Sequence, residues 1–216
     1  MAATTKGNCY LCGAQLGKAA MGTHMAKMHG GEGAEQECYV LKIEGAYDKG
    51  YWLLVDMPKT ASLQSLDGFL RKIWLECCGH MSGFFAPGRD QVGKARKISS
   101  LSVGEKLVHE YDFGTTTETL ITVVRESTRP KQRESVRLLA RNVPPVFACE
   151  GCGVAAGAIC TECAWEKDNP FLCEDCAEHH EHGEMLLAIT NSPRMGECGY
   201  DGELDVYEFD PQWFAK

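Results

Sequence analysis

The chain has 216 residues, 44% of them apolar, and a formal net charge of −8. This apolar content predicts a folded globular protein and excludes an intrinsically disordered one. No apolar run approaches the roughly 18 residues of a membrane span, and the first residues lack the apolar segment of a signal peptide, so we expect a cytoplasmic protein without membrane contact. The negative charge disfavours nonspecific binding to nucleic acid, because that affinity comes from cations placed against phosphates.

Cysteine is the most informative residue type, with twelve copies in the chain. Eight of these cysteines stand in four Cys-x-x-Cys pairs. This spacing lets two thiolates reach one tetrahedral ion from a tight turn. In the reducing compartment expected for this chain, such pairs indicate metal rather than disulfides. Together with nearby histidines they predict about three structural Zn²⁺ ions.

The first Zn²⁺ site is predicted near the N-terminus, with the spacing Cys-x2-Cys-x11-His-x4-His. This spacing resembles that of a classical Cys2His2 zinc finger. The start of the predicted helix contains a single cation, Lys18, so a structural or protein-binding finger is favoured over one that reads DNA or RNA. We assign residues 1–33 to this finger and to a short flexible linker over 30–33. The predicted ligands are Cys9, Cys12, His24 and His29.

Residues 34–144 are predicted to form an α+β domain with a mostly antiparallel sheet, flanked by the small zinc-stabilised modules. Strands over 38–44 and 51–56 are expected to form a hairpin. Ser62 can cap a helix that extends to about residue 77, since apolar residues recur there at steps of three and four. This helix is expected to pack on the sheet. Further strands are predicted over 83–86, 107–113, 119–125 and 135–140.

Three segments of this domain carry a family resemblance, namely Tyr39–Ile43 (YVLKI), Leu66–His80 (LDGFLRKIWLECCGH) and Tyr111–Gly114 (YDFG). They resemble the plasmid pRiA4b ORF-3-like family, also called MM3350-like, over roughly residues 38–142. The YDFG turn is the most specific part. The resemblance implies a small α+β fold with a packed helix and an association with mobile elements, but no established chemistry.

Cys77, Cys78 and His80 follow the apolar part of the predicted helix. A thiolate beside a histidine can bind a metal or act as a nucleophile. Free cysteine is nevertheless among the most buried residue types, so we expect these residues to pack in the core.

A run of cations lies between residues 125 and 141. If the strands here alternate regularly, Arg133, Arg137 and Arg141 share one exposed face, opposite the apolar one. This face is the candidate surface for nucleic acid. An ordinary solvated hairpin is the favoured alternative.

Residues 145–216 follow a Pro-Pro boundary and contain eight further predicted ligands. Sequential pairing of the Cys-x-x-Cys pairs would require only a seven-residue loop. Interleaved pairing leaves twenty residues between paired motifs, as in zinc ribbons, and resembles a B-box or RING-like module in ligand order. We favour interleaved pairing, which groups Cys149, Cys152, Cys173 and Cys176 at one site, and Cys160, Cys163, His180 and His182 at the other.

The end of the chain leaves two ligand questions open. In an extended segment His180 and His182 point the same way, whereas on a helix His179 and His182 would. The family resemblance favours His180 and His182. Residues 191–202 are expected to form an exposed loop and a plausible contact surface. Cys198 is expected to be buried there or to displace a histidine as a ligand.

The predicted sites indicate the class of function. Each has four protein ligands, whereas a catalytic zinc keeps one position open for water. We therefore expect structural zinc in a binding or adaptor protein that meets a protein partner, and not an enzyme. Nucleic-acid binding through the finger and the basic hairpin is the alternative.

Overall fold

The computed structural model describes residues 5–30 and 35–215. The predicted linker falls mostly on residues 31–33, which lie outside the described residues. The helices are α1 (Lys18–Met28), α2 (Leu63–Leu70), α3 (Cys163–Glu166) and α4 (Glu174–Glu178). The strands are β1 (Lys6–Cys9), β2 (Gln15–Gly17), β3 (Gln36–Gly45), β4 (Trp52–Pro58), β5 (Ser82–Phe85), β6 (Gln91–Val92), β7 (Lys106–Tyr111), β8 (Thr117–Arg129), β9 (Arg137–Asn142), β10 (Ala158–Cys160), β11 (Phe171–Leu172) and β12 (Leu186–Ala188).

The central feature is a nine-stranded sheet in the order β2-β1-β9-β4-β3-β8-β7-β5-β6. Neighbouring strands are antiparallel throughout. A small antiparallel sheet, β11-β10-β12, lies in the C-terminal part. The α+β class with a mostly antiparallel sheet is therefore confirmed. The β3–β4 hairpin pairs Cys38 with Pro58 and Glu44 with Trp52.

The two central strands are apolar on both faces because both faces are covered. On one face Leu41 and Leu53 pack in a large core with the apolar side of α2. On the other face Val40, Trp52 and Leu54 pack against Met21 and Met25 of α1. β1 also extends the sheet, since Gly7 pairs with Asn142 of β9. The N-terminal finger thus covers the second face of the sheet, which explains the continuous apolar run in β4.

The packed helix begins as predicted but ends earlier. Ser62 occupies the N-terminal cap position, although its side chain makes no capping hydrogen bond. The predicted apolar positions from Leu63 to Trp74 are buried. After α2 the backbone forms a single π-helical turn, Arg71–Leu75, and Glu76 is extended. Cys77 and Cys78 therefore lie beyond the helix, in a loop.

The predicted basic face is not formed. Arg141 is 3% exposed and pairs with Asp205, at 2.6 Å between Nη2 and Oδ2. Arg137 pairs with Asp56, a buried carboxylate that also binds the buried Arg129. Only Arg133 of the three candidates is exposed. Regular alternation was the wrong assumption, because β9 shifts register against β4 at Leu54/Val55 and the C-terminal segment covers Arg141.

The C-terminal segment, here residues 191–207, packs against the central sheet, so the expectation of an exposed loop over residues 191–202 was wrong. Ser192 and Tyr200 are buried, and Ser192 Oγ donates a hydrogen bond of 2.5 Å to the carbonyl of Trp74. Arg194 is wholly buried and donates to Asp112 Oδ2 at 2.7 Å. No helix within residues 5–30 and 35–215 is long and apolar enough to cross a lipid bilayer.

Candidate metal centres

The finger site is built where the β1–β2 hairpin meets α1. β1 ends at Cys9, the turn after it carries Cys12, and Gly13 provides the left-handed backbone (φ 77°) that closes this turn. The helix carries His24, and His29 follows its last turn. Sγ of Cys9 lies 3.5 Å from Sγ of Cys12 and 3.6 Å from Nε2 of His29. Sγ of Cys12 lies 3.3 Å from Nε2 of His24.

These separations match the edges of a zinc tetrahedron. With Zn–S of about 2.3 Å and Zn–N of about 2.0–2.1 Å, the ligand atoms should be about 3.3–3.8 Å apart. They are far longer than a sulfur–sulfur bond of about 2.05 Å. Every cysteine of the chain lies in its described part, and none forms a disulfide. The four atoms are thus placed for one ion.

The C-terminal module brings its ligands together in the interleaved arrangement. One cluster, here the four-cysteine site, consists of Cys149, Cys152, Cys173 and Cys176. The other, here the mixed site, consists of Cys160, Cys163, His180 and His182. Within each cluster the ligand atoms lie within 4.8 Å of one another. Sequential pairing is not formed.

The histidines of the mixed site lie beyond the end of α4. His179 is the residue that caps this helix and is exposed, outside the cluster. Nε2 of His180 lies 3.4 Å from Sγ of Cys163, and Nδ1 of His182 lies 3.7 Å from the same atom. The chain is no longer helical here, so these two side chains can converge.

The thiols of the four-cysteine site differ in pKa. Backbone N–H groups, first that of Cys173 and then those of Cys152 and Gly151, lower the pKa of Cys149 to about 6 against the effect of burial. Hydrogen bonds with Cys149, Cys173 and Cys152 raise the pKa of Cys176 to about 12. A dication would favour the thiolate form of all four, because metal binding releases protons from its ligands.

A fourth cluster contains residues that the sequence did not bring together: Cys77, Cys78, His80 and Cys198. Cys78 and Cys198 are exposed, and Cys77 and His80 are half-buried. The prediction that the first three pack in the core was wrong for Cys78 and His80, because the helix ends before them, whereas Cys77 is half-buried and packs against the core. Cys198 neither is buried nor displaces a histidine of the mixed site. The only sequence signal was a Cys-Cys-x-His motif with an unpaired cysteine 118 residues after its histidine.

A group of side chains surrounds this fourth cluster. Tyr111 Oη lies 3.7 Å from Sγ of Cys77, and Asp112 Oδ2 lies 3.4 Å from Nε2 of His80. Burial acts to raise the pKa of Cys77, but Arg194 and Tyr111 outweigh it and the pKa is lowered. Asp112 has a left-handed backbone (φ 63°), and its carboxylate accepts from the N–H of Gly114 at 3.0 Å. Asp112 and the following threonines therefore form a turn that receives Arg194.

The chain has a weak structural likeness to a protein of known structure. No family model matches the chain, and no curated protein matches it. Among solved structures, the chain is similar to MM3350, a protein of unknown function from Methanosarcina mazei Go1. The identity is 15% and the TM-score 0.43, over 49% of this chain and 69% of that chain. Membership of the pRiA4b ORF-3-like family stays a prediction.

Proposed function

We propose that the protein is a zinc-stabilised binding protein, in which structural Zn²⁺ ions fold both ends of the chain around the central sheet. One observation carries this proposal: each of the three clusters expected from spacing brings four Cys or His ligand atoms within 4.8 Å of one another. Soft thiolate and imidazole ligands select zinc over magnesium or calcium. A catalytic zinc has three protein ligands and an open position for water, so saturated sites favour a structural role over catalysis.

The composition of the C-terminal core supports the same role. Its buried cluster consists of Leu172 and four cysteines, Cys149, Cys160, Cys163 and Cys173. A module whose core consists mainly of thiols buries too little apolar surface to fold without bound metal or another crosslink. Structural zinc contributes about 10–16 kcal/mol per ion in finger-sized peptides. We therefore expect this module to unfold when metal is removed.

Single-ligand variants test the three sites separately. Cys12→Ser, Cys152→Ser and Cys163→Ser should each lose one zinc equivalent relative to the unaltered protein, measured by mass spectrometry of the metal against protein concentration. Cys38→Ala is the control, because Cys38 is buried outside all four clusters. The proposal fails if the three ligand variants keep the full zinc content of the control.

The surface around α3, which the mixed site holds in place, is suited to a protein partner. Trp165, on α3 beside the mixed site, is 81% exposed. Glu162, Glu166 and Asp168 are exposed around it, and the exposed Lys167 beside them pairs with Glu150. Tryptophan is the residue type most often found as an energetic anchor in interfaces, and acidic neighbours favour a cationic partner. We therefore assign this surface to a basic segment of another protein.

Photo-crosslinking in the source cell tests this assignment. A photoreactive amino acid in place of Trp165 should give a discrete protein adduct whose crosslinked peptide is rich in Lys and Arg. The same amino acid in place of Val103, which is 54% exposed on the central domain, is the control and should give none. Adducts only with nucleic acid or with a second copy of the chain would overturn the assignment.

A further inference from the structure

The fourth cluster is assembled from two distant parts of the chain. Cys77, Cys78 and His80 lie in the loop between the π-helical turn and β5. Cys198 comes from the C-terminal segment, 120 residues after Cys78. Nothing in local sequence spacing requires these side chains to meet. Their convergence is a property of the fold.

The backbone around the ligands has unusual conformations. Gly79 has φ 83°, which turns the chain between Cys78 and His80. Cys198 itself has φ 48°, a left-handed value that is uncommon for a residue with a side chain. Gly196 and Gly199 on either side of it are also left-handed. Such conformations persist where the surrounding structure determines them, and they cluster at functional sites. Here they direct the Cys198 thiol toward the other three groups.

The separations of the ligand atoms fit one metal ion. Sγ of Cys78 lies 3.9 Å from Sγ of Cys77 and 3.8 Å from Sγ of Cys198. Nε2 of His80 lies 3.0 Å from Sγ of Cys78 and 3.2 Å from Sγ of Cys198. These two sulfur–sulfur distances agree with the edge of about 3.8 Å expected for zinc thiolates, and the nitrogen–sulfur distances are slightly shorter than the lower end of the range, about 3.3 Å. All four ligand atoms lie within 4.8 Å of one another, as in the three clusters with recognisable spacing.

We propose that Cys77, Cys78, His80 and Cys198 bind a fourth Zn²⁺ ion, which ties the C-terminal segment to the central domain. This site goes beyond the three sites of the proposed function, and none of its ligands belongs to them. Three thiolates and one imidazole are a common ligand set of structural zinc. The hydroxyl of Tyr111 beside Cys77 is a suitable outer-shell partner, since such groups orient the ligands of a metal.

The expected effect of the ion is to hold the segment around residues 192–200. This segment contributes Ser192 and Arg194 to buried hydrogen bonds with the central domain. A crosslink between Cys78 and Cys198 closes a loop of 120 residues, and the closure of long loops restricts the unfolded chain strongly. Loss of the ion should therefore loosen this segment first. The other three zinc modules should keep their structure.

Zinc content of the full chain is the primary test. The unaltered protein should contain four equivalents, one for each cluster. Cys198→Ser should contain three, and Cys38→Ala should remain at four. Three equivalents in the unaltered protein, with no change in Cys198→Ser, would overturn the proposal while leaving the proposed function intact. If Cys12→Ser, Cys152→Ser and Cys163→Ser also lose no zinc, the proposed function fails as well.

Two further measurements test the proposal even if a variant loses zinc because it does not fold. Cobalt in place of zinc should give thiolate-to-metal absorption from eleven thiolates in the unaltered protein, against eight if the fourth cluster is empty. Hydrogen exchange should become faster in residues 192–200 of Cys78→Ser, with β3 and β4 unchanged. Absorption from only eight thiolates, or unchanged hydrogen exchange in residues 192–200, would contradict a metal ion that holds this segment.

Discussion

Arg194 fixes the C-terminal segment to the turn after β7, and its replacement by methionine should strongly destabilise the protein. Its guanidinium donates to Asp112 Oδ2 at 2.7 Å, to Thr117 Oγ1 at 2.9 Å and to the carbonyl of Thr115 at 3.1 Å. Its Cζ lies 4.8 Å from the ring centroid of Tyr111. The side chain is wholly buried, so the methionine variant leaves the Asp112 carboxylate with its main partner missing.

Breaking a buried ion pair by removing one partner costs about 3–5 kcal/mol. The lower end applies here, since the Asp112 side chain is 9% exposed and keeps the N–H of Gly114. We therefore expect a loss of about 3 kcal/mol. With a urea m-value of about 2–3 kcal/mol/M, the unfolding midpoint should fall by about 1–1.5 M. Fluorescence of the buried Trp52 and Trp74 reports this transition.

A surface ion pair supplies the matched control. Lys167 pairs with Glu150, and the two side chains are 44% and 45% exposed, so Lys167→Met should leave the urea midpoint almost unchanged. In the double variant Arg194→Met with Asp112→Asn, part of the lost stability should return, because no unpaired charge stays buried and asparagine tolerates the left-handed backbone. A midpoint for Arg194→Met equal to that for Lys167→Met would refute the reasoning.

Three further substitutions test the packing and the titration of the interior. Gly7→Ala should destabilise by about 1–3 kcal/mol in thermal unfolding, because its Cβ would lie 2.4 Å from the Trp52 ring. The control is Gly93→Ala, whose Cβ would meet no atom within 4 Å at an exposed position and should cause no loss. Gly22→Ala should stabilise α1 by about 0.5–1 kcal/mol, since its Cβ is also free and alanine favours the helix; a lower melting temperature would contradict this. His109→Gln should flatten the fall in stability below pH 6.5. Burial lowers the pKa of His109 against the opposing effect of Asp67, so the unfolded chain binds the proton first and the folded state loses up to about 1.4 kcal/mol per pH unit. Equal slopes of urea stability against pH in both proteins would exclude that contribution.

The features that the sequence predicted well depend on nearby residues. The spacing Cys-x-x-Cys is fixed by one tight turn, so Cys9 with Cys12 and Cys173 with Cys176 could be identified as pairs from their spacing alone. The apolar positions of α2 recur at helical steps, and the buried Leu66 and Trp74 follow from that periodicity. The interleaved grouping of the C-terminal ligands also followed from loop lengths. In each case the physical constraint acts over fewer than about 30 residues.

The features that the sequence missed depend on residues that meet only in the fold. Arg141 was expected on an exposed face, but its partner Asp205 comes from the C-terminal segment. Arg194 was expected in an exposed loop, but its partner Asp112 lies 82 residues earlier. A buried arginine and an exposed one have the same sequence signature. Charge patterns therefore predicted a surface where the molecule has internal ion pairs.

The fourth cluster shows the same limit for metal ligands. A motif search recognises a site when most of its ligands lie close in sequence, because each short spacing is improbable alone. Cys77 and Cys78 are adjacent, which is not a common zinc spacing, and Cys198 has no paired cysteine. An unpaired cysteine in a glycine-rich loop, such as Cys198, indicates that any other ligands of a site there come from distant parts of the chain. Since Cys38 is the single cysteine outside the four clusters, the number of thiols that remain unassigned after motif matching is itself a reason to expect a further site.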